Sequence, residues 1–327
     1  MSPLRALRAE QRPLRLPPHV RLAAVVALVA LAAALPLSQP TYVNFDLSMA
    51  MVYAVAGLGL NLLTGNTGQL SLGHSAFFAV GSYTAALMIG GGAHYLLTIP
   101  VAGVASFALG FVIGLPALRL RGLQLALVTL ALALTVPAIV KRLDRFTHGF
   151  EGMSVVAASA PTWTGLADDQ WRYYLCLAAL AFALVVAHRI ASGRTGRAMT
   201  AVRDNEVVAN AMGIRAARLK TLVFATSAAF AAIAGVLYTL VVQFVGPEAF
   251  GLTLAVSLVT LIVVGGLGAT WGAVLGGLFV VYAPKYLAEV NQSASGVAYG
   301  AALIACMFVA PYGLVSLIRW CGRRLRR

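Results

Sequence analysis

AVAGLGLNLLTGNTGQLSLGHSAFFAVGSYTAALM, residues 54–88, decides the fold class. It opens on an apolar run, passes through Asn61, Thr64, Asn66, Thr67, Gln69, Ser71, His74 and Ser75, and returns to an apolar run. Gly65 and Gly68 fall in the polar part, where glycine turns a chain with least strain. A helix needs roughly 20 mostly apolar residues to cross the hydrocarbon layer, so the stretch reads as one membrane helix, a break, and the start of another. Two readings of the break stay open. One is a broken helix lining a translocation path, with Asn61, Asn66, Gln69, Ser71, His74 and Ser75 as candidate path residues. Irregular backbone at that depth is tolerated only against protein or a water-filled cavity. The other is a tight cytoplasmic turn whose hydroxyls cap the following helix. His74 taken alone reads as a packing or interfacial histidine before it reads as a ligand.

Working outward, apolar runs recur at about 20–37, 47–64, 70–91, 95–117, 122–140, 172–190, 221–243, 252–266, 269–284 and 297–318. The chain is 60% hydrophobic and only 10% charged, against about 25% charged for a soluble domain. The fold class is therefore an all-α polytopic membrane protein of about ten transmembrane helices. The eighth and ninth runs come from one long apolar stretch, divided by VVGGLGATWG over residues 263–272. Gly268, Gly272 and Gly276 stand four apart there, a spacing that puts small residues on one helix face and lets another helix approach closely. The N-terminal run superficially resembles a leader peptide. Its length favours a retained first helix.

Lys and Arg set the orientation. With a cytoplasmic N-terminus, nineteen of them fall inside and five (Lys141, Arg142, Arg145, Arg172 and Lys285) fall outside. Both termini are expected in the cytoplasm, which needs an even number of spans. The parts are a basic tail at 1–19, a permease domain at 20–318 and a second basic tail at 319–327. An external loop at 141–171 and a cytoplasmic segment at 189–220 divide the spans five and five. Five is odd, so the halves would form an inverted repeat.

The net charge of +14 does not imply nucleic acid, because the basic residues gather at helix ends and no RNA-binding aromatic motif accompanies them. No Walker A loop exists: the lysines at 141, 220 and 285 follow Val140, Leu219 and Pro284, not glycine. Neither HExxH nor GxSxG occurs, and the histidines at 19, 74, 94, 148 and 188 are scattered. The expectation is no catalytic residue, no metal and no cofactor, with ATP bound only by partner subunits. Cys176, Cys306 and Cys321 form no CxxC, so no zinc site or disulfide framework follows. The spans hold almost no carboxylates, and an ion-coupled carrier usually places an ionisable group at membrane depth. The driving energy is therefore expected from elsewhere.

GRTGRAMTAVRDNEVVANAMGI, residues 196–214, is amphipathic rather than apolar. Val202, Val207 or Val208, Ala211 and Ile214 recur near helical spacing, with Arg203, Asp204, Glu206 and Asn210 on other faces. Gly213 reads as the C-terminal stop. The segment is either an interfacial helix on anionic lipid or a docking helix for a cytoplasmic partner. The acidic pair favours docking, because lipid headgroups repel it. In that reading Val207, Val208 and Ala211 supply an apolar stripe, and Arg203 and Glu206 lie at its rim.

These segments resemble the LivM-type permeases of the branched-chain amino acid ABC importers. GLGLNLLTGNTGQLSLGHSAFFAVGSYTAALM is similar to that family's N-terminal signature and SLVTLIVVGGLGATWGAVLGG to its C-terminal one. THGFEGMSV resembles its TGG-x-x-G segment, with His148 in place of a glycine. GRAMTAVRDNEVVANAMGI resembles its cytoplasmic loop. Importer permeases often carry Glu six residues before Gly in that loop; here Glu206 precedes Gly213 by seven, and Val207 and Val208 stand where two alanines would be. The resemblance implies a multi-pass permease subunit in a bacterial inner membrane, importing leucine, isoleucine and valine. Its implied partners are a second, LivH-type permease, two cytoplasmic ATPases that push on Arg203–Gly213, and an external binding protein. The alternatives are a permease for urea or short-chain amides, or an autonomous channel for a small neutral solute.

Overall fold

The computed structural model describes residues 30–117, 122–156, 158–162, 164–290, 295–310 and 313–316. The expectations for both basic tails, for the start of the first span, and for Arg119, Arg121 and Trp163 lie outside the described residues.

The chain is almost entirely helical. After helical turns over 30–38, α1 (Thr41–Leu60) runs directly into a π-helix (Asn61–Asn66). There follow α2 (His74–Gly90), α3 (Tyr95–Ala117), α4 (Leu123–Arg142), the single turn α5 (Asp144–Thr147) and α6 (Asp168–Ser192). Next come α7 (Arg194–Asp204), α8 (Glu206–Ala211), α9 (Ala216–Val242), α10 (Leu252–Gly265), α11 (Gly272–Val290) and α12 (Ser295–Val309). One antiparallel pair, Met153–Ser154 with Phe244–Val245, joins the segment after α5 to the end of α9. Among the described residues, six helices are long and apolar enough to cross a membrane: Thr41–Asn66, Tyr95–Pro116, Leu123–Arg142, Asp168–Ser192, Ala216–Val242 and Pro247–Gly265.

Several boundaries differ from the sequence reading. The second span starts at Thr41 because Pro40, extended at φ −68° and ψ 157°, cannot continue a helix from the preceding turns. The sixth starts at Asp168, where Asp168 and Asp169 face the positive end of the helix. That start and the extension of α4 to Arg142 shorten the 141–171 loop to 143–167. His148 has a left-handed backbone (φ 56°), as do Gly149 and Gly152. Glycine suits all three positions, which accounts for the family's glycine where this chain has His148. The apolar stretch at 252–290 is two helices, α10 and α11. Gly268 belongs to neither: it turns the chain at φ +79°, so the expected three-glycine face is reduced to Gly272 and Gly276 on α11.

Packing explains the small residues. About 83% of the α1 span and 72% of α9 are buried, whereas α3, α4 and α6 are buried over only 22% to 28%. The peripheral helices expose Val104, Leu123 and Phe182, side chains that suit lipid rather than water. At the centre, α9 packs against α1, α2 and α3, and α1 also packs against α6 and α11. A β-carbon built on Gly81 would stand 2.0 Å from the Ala232 carbonyl oxygen, and one on Gly235 2.0 Å from that of Phe78. The α2–α9 backbones meet there as closely as backbones can, the use membrane bundles make of small residues. Ser82 Oγ donates to the Gly235 carbonyl at 2.8 Å in the same seam.

Polar contacts sort the helix ends into two groups. Asn44 bonds Asp169, Asp46 pairs with Lys285, Lys141 with Glu248, Trp171 donates to Tyr95, and Arg172 reaches the Val241 carbonyl. These contacts gather the starts of α1, α3 and α6 with the ends of α4, α9 and α11. Asn61 bonds the turn before α11, Arg203 bonds the Gly65 carbonyl at the end of the α1 helix, and Glu206 pairs with Lys220 near the start of α9. The end of the α1 helix, the α10–α11 turn and the 194–220 segment therefore share the opposite end.

Candidate functional site

The break in α1 is built from an unusual helix. Over Asn61–Asn66 the backbone takes π-helical geometry, a rare form that recurs at functional sites. Gly68 (φ +73°) then turns the chain, and Thr64 Oγ1 donates to the Gln69 carbonyl at 2.9 Å to close the turn. Gln69 Nε2 donates to Thr67 Oγ1 at 3.2 Å.

Asn61 ties this break to the other glycine-rich turn. Its Oδ1 accepts from the Gly268 N–H at 2.8 Å, and its Nδ2 donates to the Ala269 carbonyl at 2.9 Å. The Gly268 N–H lies in a turn where no helix satisfies it, and the Ala269 carbonyl accepts from the Gly272 N–H as well. Gly65 lies in the same junction: a β-carbon on it would stand 2.4 Å from Gly268 N and 2.3 Å from Asn61 Oδ1. Asn66 is half-buried beside Gly268.

A second polar cluster lies between α2 and α9. His74 is 2% exposed and contacts Ser71 Oγ through Nδ1 at 3.3 Å and Ser227 Oγ through Nε2. Phe77 and Phe224 stand edge-on to its ring. Leu72 N–H donates to Thr129 Oγ1 at 3.0 Å, which pins the turn to α4. This is the environment of a packing histidine. Ser75 Oγ is buried without a partner. Of the six residues read as a path, Asn61, Ser71, His74 and Ser75 are enclosed in the bundle, because their polar surroundings come from the protein's own helices. Gln69 alone among the six lines the cleft described next.

That cleft has a volume of about 270 Å³. Thr67–Gln69 form one side, Val202–Glu206 another, with Gly122, Leu125 and Lys220 completing it. The segment expected to be one short helix is two. Asn205 leaves helical geometry (φ −159°, ψ 107°), and its Oδ1 accepts from the N–H groups of Val207 and Val208 at 3.0 and 3.1 Å, capping α8. Asp204-Asn205-Glu206 carries that cap signal in the sequence. Val202, Ala209 and Ala216 bury together as a small core. On the free side, Val207 is 73%, Val208 52% and Met212 79% exposed; Ala211 and Gly213 (φ +86°) are exposed as well.

The two charges expected at the rim of this face bond to groups of the chain itself instead. Glu206 pairs with Lys220 at 2.8 Å. Arg203 Nη1 donates to the Gly65 carbonyl, its side chain passing 3.1 Å from where a Gly68 β-carbon would be. A carbonyl freed at a break accepts a guanidinium readily. Asp204 lines the cleft and is exposed. Sequence reasoning missed Thr129, Ser227, Asn205 and Lys220. Thr129 and Ser227 were signalled only as hydroxyls inside apolar spans.

On α11, a β-carbon at Gly276 would stand 2.0 Å from the Leu261 carbonyl oxygen, and at Gly272 2.8 Å from that of Gly265. These glycines pack against α10 of the same chain. Among the described residues, no three His, Cys, Asp or Glu side chains are placed to hold a metal ion.

Residues 42–310 match the family model described as the branched-chain amino acid transport system / permease component. The chain is 30% identical, over 90% of its length, to the high-affinity branched-chain amino acid transport system permease protein LivM of Escherichia coli K12, covering 75% of that protein. It is 26% identical to the permease LivH of Salmonella typhimurium LT2, over 82% of this chain and 92% of that one. It is also 27% identical, over 79% of its length, to 76% of the autoinducer 2 import system permease LsrC of Enterobacter sp. strain 638. No solved structure matches. The family match takes in the π-helical break, the helix pair α7–α8 and the α10–α11 turn alike, and the chain belongs to the branched-chain amino acid transport permease family.

Proposed function

We propose that this chain is the transmembrane permease subunit of an ABC importer that moves branched-chain amino acids inward across a bacterial inner membrane. A second, LivH-type permease completes the path, two separate ATPases drive it, and an external binding protein delivers substrate near the 143–167 loop. Ten spans with both termini cytoplasmic, divided five and five, remain the topology favoured by the nineteen-to-five charge bias. The sorting of helix ends into two groups supports the alternation such a topology needs.

The observation that carries the reading is the Val207–Val208–Met212 face. A six-residue helix has little stability of its own, yet α8 is fixed by the Asn205 cap, the Glu206–Lys220 pair and the Val202–Ala209–Ala216 core. A rigid apolar knob between two membrane spans suits a groove on a protein partner. Within α8 itself the one charged side chain, Glu206, is paired to Lys220, so the helix carries no cation of its own for lipid headgroups; the nearest, Arg203 and Arg215, stand beyond its two ends. The LsrC relative is named for autoinducer 2 import, so the second reading is a cargo other than a branched-chain amino acid, urea or a short-chain amide among them; the LivM and LivH relatives favour leucine, isoleucine and valine.

Two measurements test this. Purification of the tagged permease should bring down its ATPase subunits, and their absence under conditions that retain the second permease would support a channel instead. Reporter fusions after Arg197 and Arg327 should read cytoplasmic and one after Asp168 external; a cytoplasmic Asp168 would sink the five-plus-five division.

A further inference from the structure

We propose that Arg203 is a positioning residue that transmits movement of the α7–α8 segment to the break in α1, by gripping the Gly65 carbonyl inside the π-helical turn. The proposal rests on the ABC-importer reading and names the path by which force would leave the docking face.

Three observations converge on one junction. Arg203, at the end of α7, donates to the Gly65 carbonyl. Gly65 sits in the π-helix (Asn61–Asn66), a geometry one hydrogen-bond register away from α-helix and frequent at functional sites. Asn61, in the same turn, holds Gly268 N–H and Ala269 C=O of the α10–α11 turn. Residues from three distant parts of the chain are thus linked in series: Arg203 to Gly65, Asn61 to Gly268. The cleft of about 270 Å³ lies beside this linkage, between Thr67–Gln69 and Val202–Glu206, and leaves room for the segment to shift. Val202 of α7, Ala209 of α8 and Ala216 at the start of α9 pack together, so a displacement of α8 is passed to α7 as well as to the first turn of α9. Displacing α8 therefore pulls on Arg203, and Arg203 pulls on a carbonyl in a turn one register away from α-helix. A repacked π turn would then carry Asn61 and the α10–α11 turn with it. Bistable junctions convert small shifts into discrete states in this way.

The test uses the whole importer reconstituted in liposomes, with the chain's native cysteines replaced by alanine and a reporter Leu70→Cys. Leu70 is exposed just beyond the break. The readouts are co-purified ATPase, ATP hydrolysed per leucine imported, and the change in maleimide labelling of the reporter when ATP and vanadate trap the closed ATPases. Arg203→Ala should keep the ATPases bound and hydrolysis within about twofold, raise ATP consumed per leucine about tenfold, and abolish the labelling change, within the usual range of coupling factors. Arg203→Lys, which can still donate to the carbonyl, should restore part of both. Unchanged stoichiometry and labelling change in Arg203→Ala would overturn the proposal. So would loss of the ATPases, which would make Arg203 a docking residue, or a proportional fall in every activity together with the melting temperature, which would make it a structural anchor. If the unsubstituted chain retains no ATPase, the importer reading itself has failed, and that control separates the two failures.

Discussion

Gly276→Ala should destabilise the bundle more than any comparable change at a peripheral glycine. A β-carbon at Gly276 would stand 2.0 Å from the Leu261 carbonyl oxygen, 2.8 Å from its carbonyl carbon and 3.0 Å from its Cγ. Ordinary contact begins near 3.4 Å, so α10 would have to retreat from α11 by about 1.4 Å (3.4 − 2.0). The obstruction is backbone, so no side-chain rotation relieves it. Overpacking of this kind costs about 1–3 kcal/mol. A retreat of α10 would also stretch the Asn61 bonds to Gly268 and Ala269, now 2.8 and 2.9 Å, each worth about 0.6 kcal/mol on the scale of membrane interhelical bonds. The total is about 2–4 kcal/mol, or a fall in melting temperature of roughly 5–15 °C at ~2–4 °C per kcal/mol. Gly300→Ala on α12, where a β-carbon meets nothing within 4 Å, is the control and should leave melting unchanged or slightly raised. The assay is thermal unfolding of the purified permease in nanodiscs, alongside recovery of complex from membranes. Equal melting of Gly276→Ala and Gly300→Ala would show that α10 and α11 do not approach at that glycine.

Asn61→Ala removes two hydrogen bonds and leaves the Gly268 N–H unpaired, while the Ala269 C=O keeps its bond from the Gly272 N–H; a loss of about 2 kcal/mol is expected from the unsatisfied donor and the second lost bond, read as a lower melting temperature in the same nanodiscs. Ala211→Arg places a charge beside Val207, Val208 and Met212 on the exposed face of α8, and should release the ATPases while the permease still inserts. Co-purification checks it: retained ATPases with weakened binding to anionic vesicles would assign that face to lipid instead.

Class and break were readable because each rests on local composition. The apolar runs and the charge deficit specify membrane helices wherever the chain later packs, and Gly65, Gly68 and the polar side chains around them mark where α1 stops. Register was not readable: α and π geometry over Asn61–Asn66 differ by one residue in hydrogen bonding, and no residue type selects between them. Partners far apart in sequence were hidden for the same reason. His74 meets Ser227 across 153 residues, and Arg203 meets Gly65 across 138. An arginine on an amphipathic segment reads as a surface charge until the carbonyl it reaches is known. Gly268 failed as a helix-face residue because spacing by four places residues on one face only if the helix includes them all, and α11 begins at Gly272.

Leucine uptake into liposomes tests the central claim most directly. The permease should be reconstituted alone, then with the second permease, both ATPases and the binding protein, with ATP available to the ATPases. Accumulation above the external concentration is expected only with the full set and hydrolysable ATP, and no uptake above empty liposomes from this chain alone. Downhill leucine entry through the permease by itself, indifferent to ATP, would contradict the account and make the chain a facilitator.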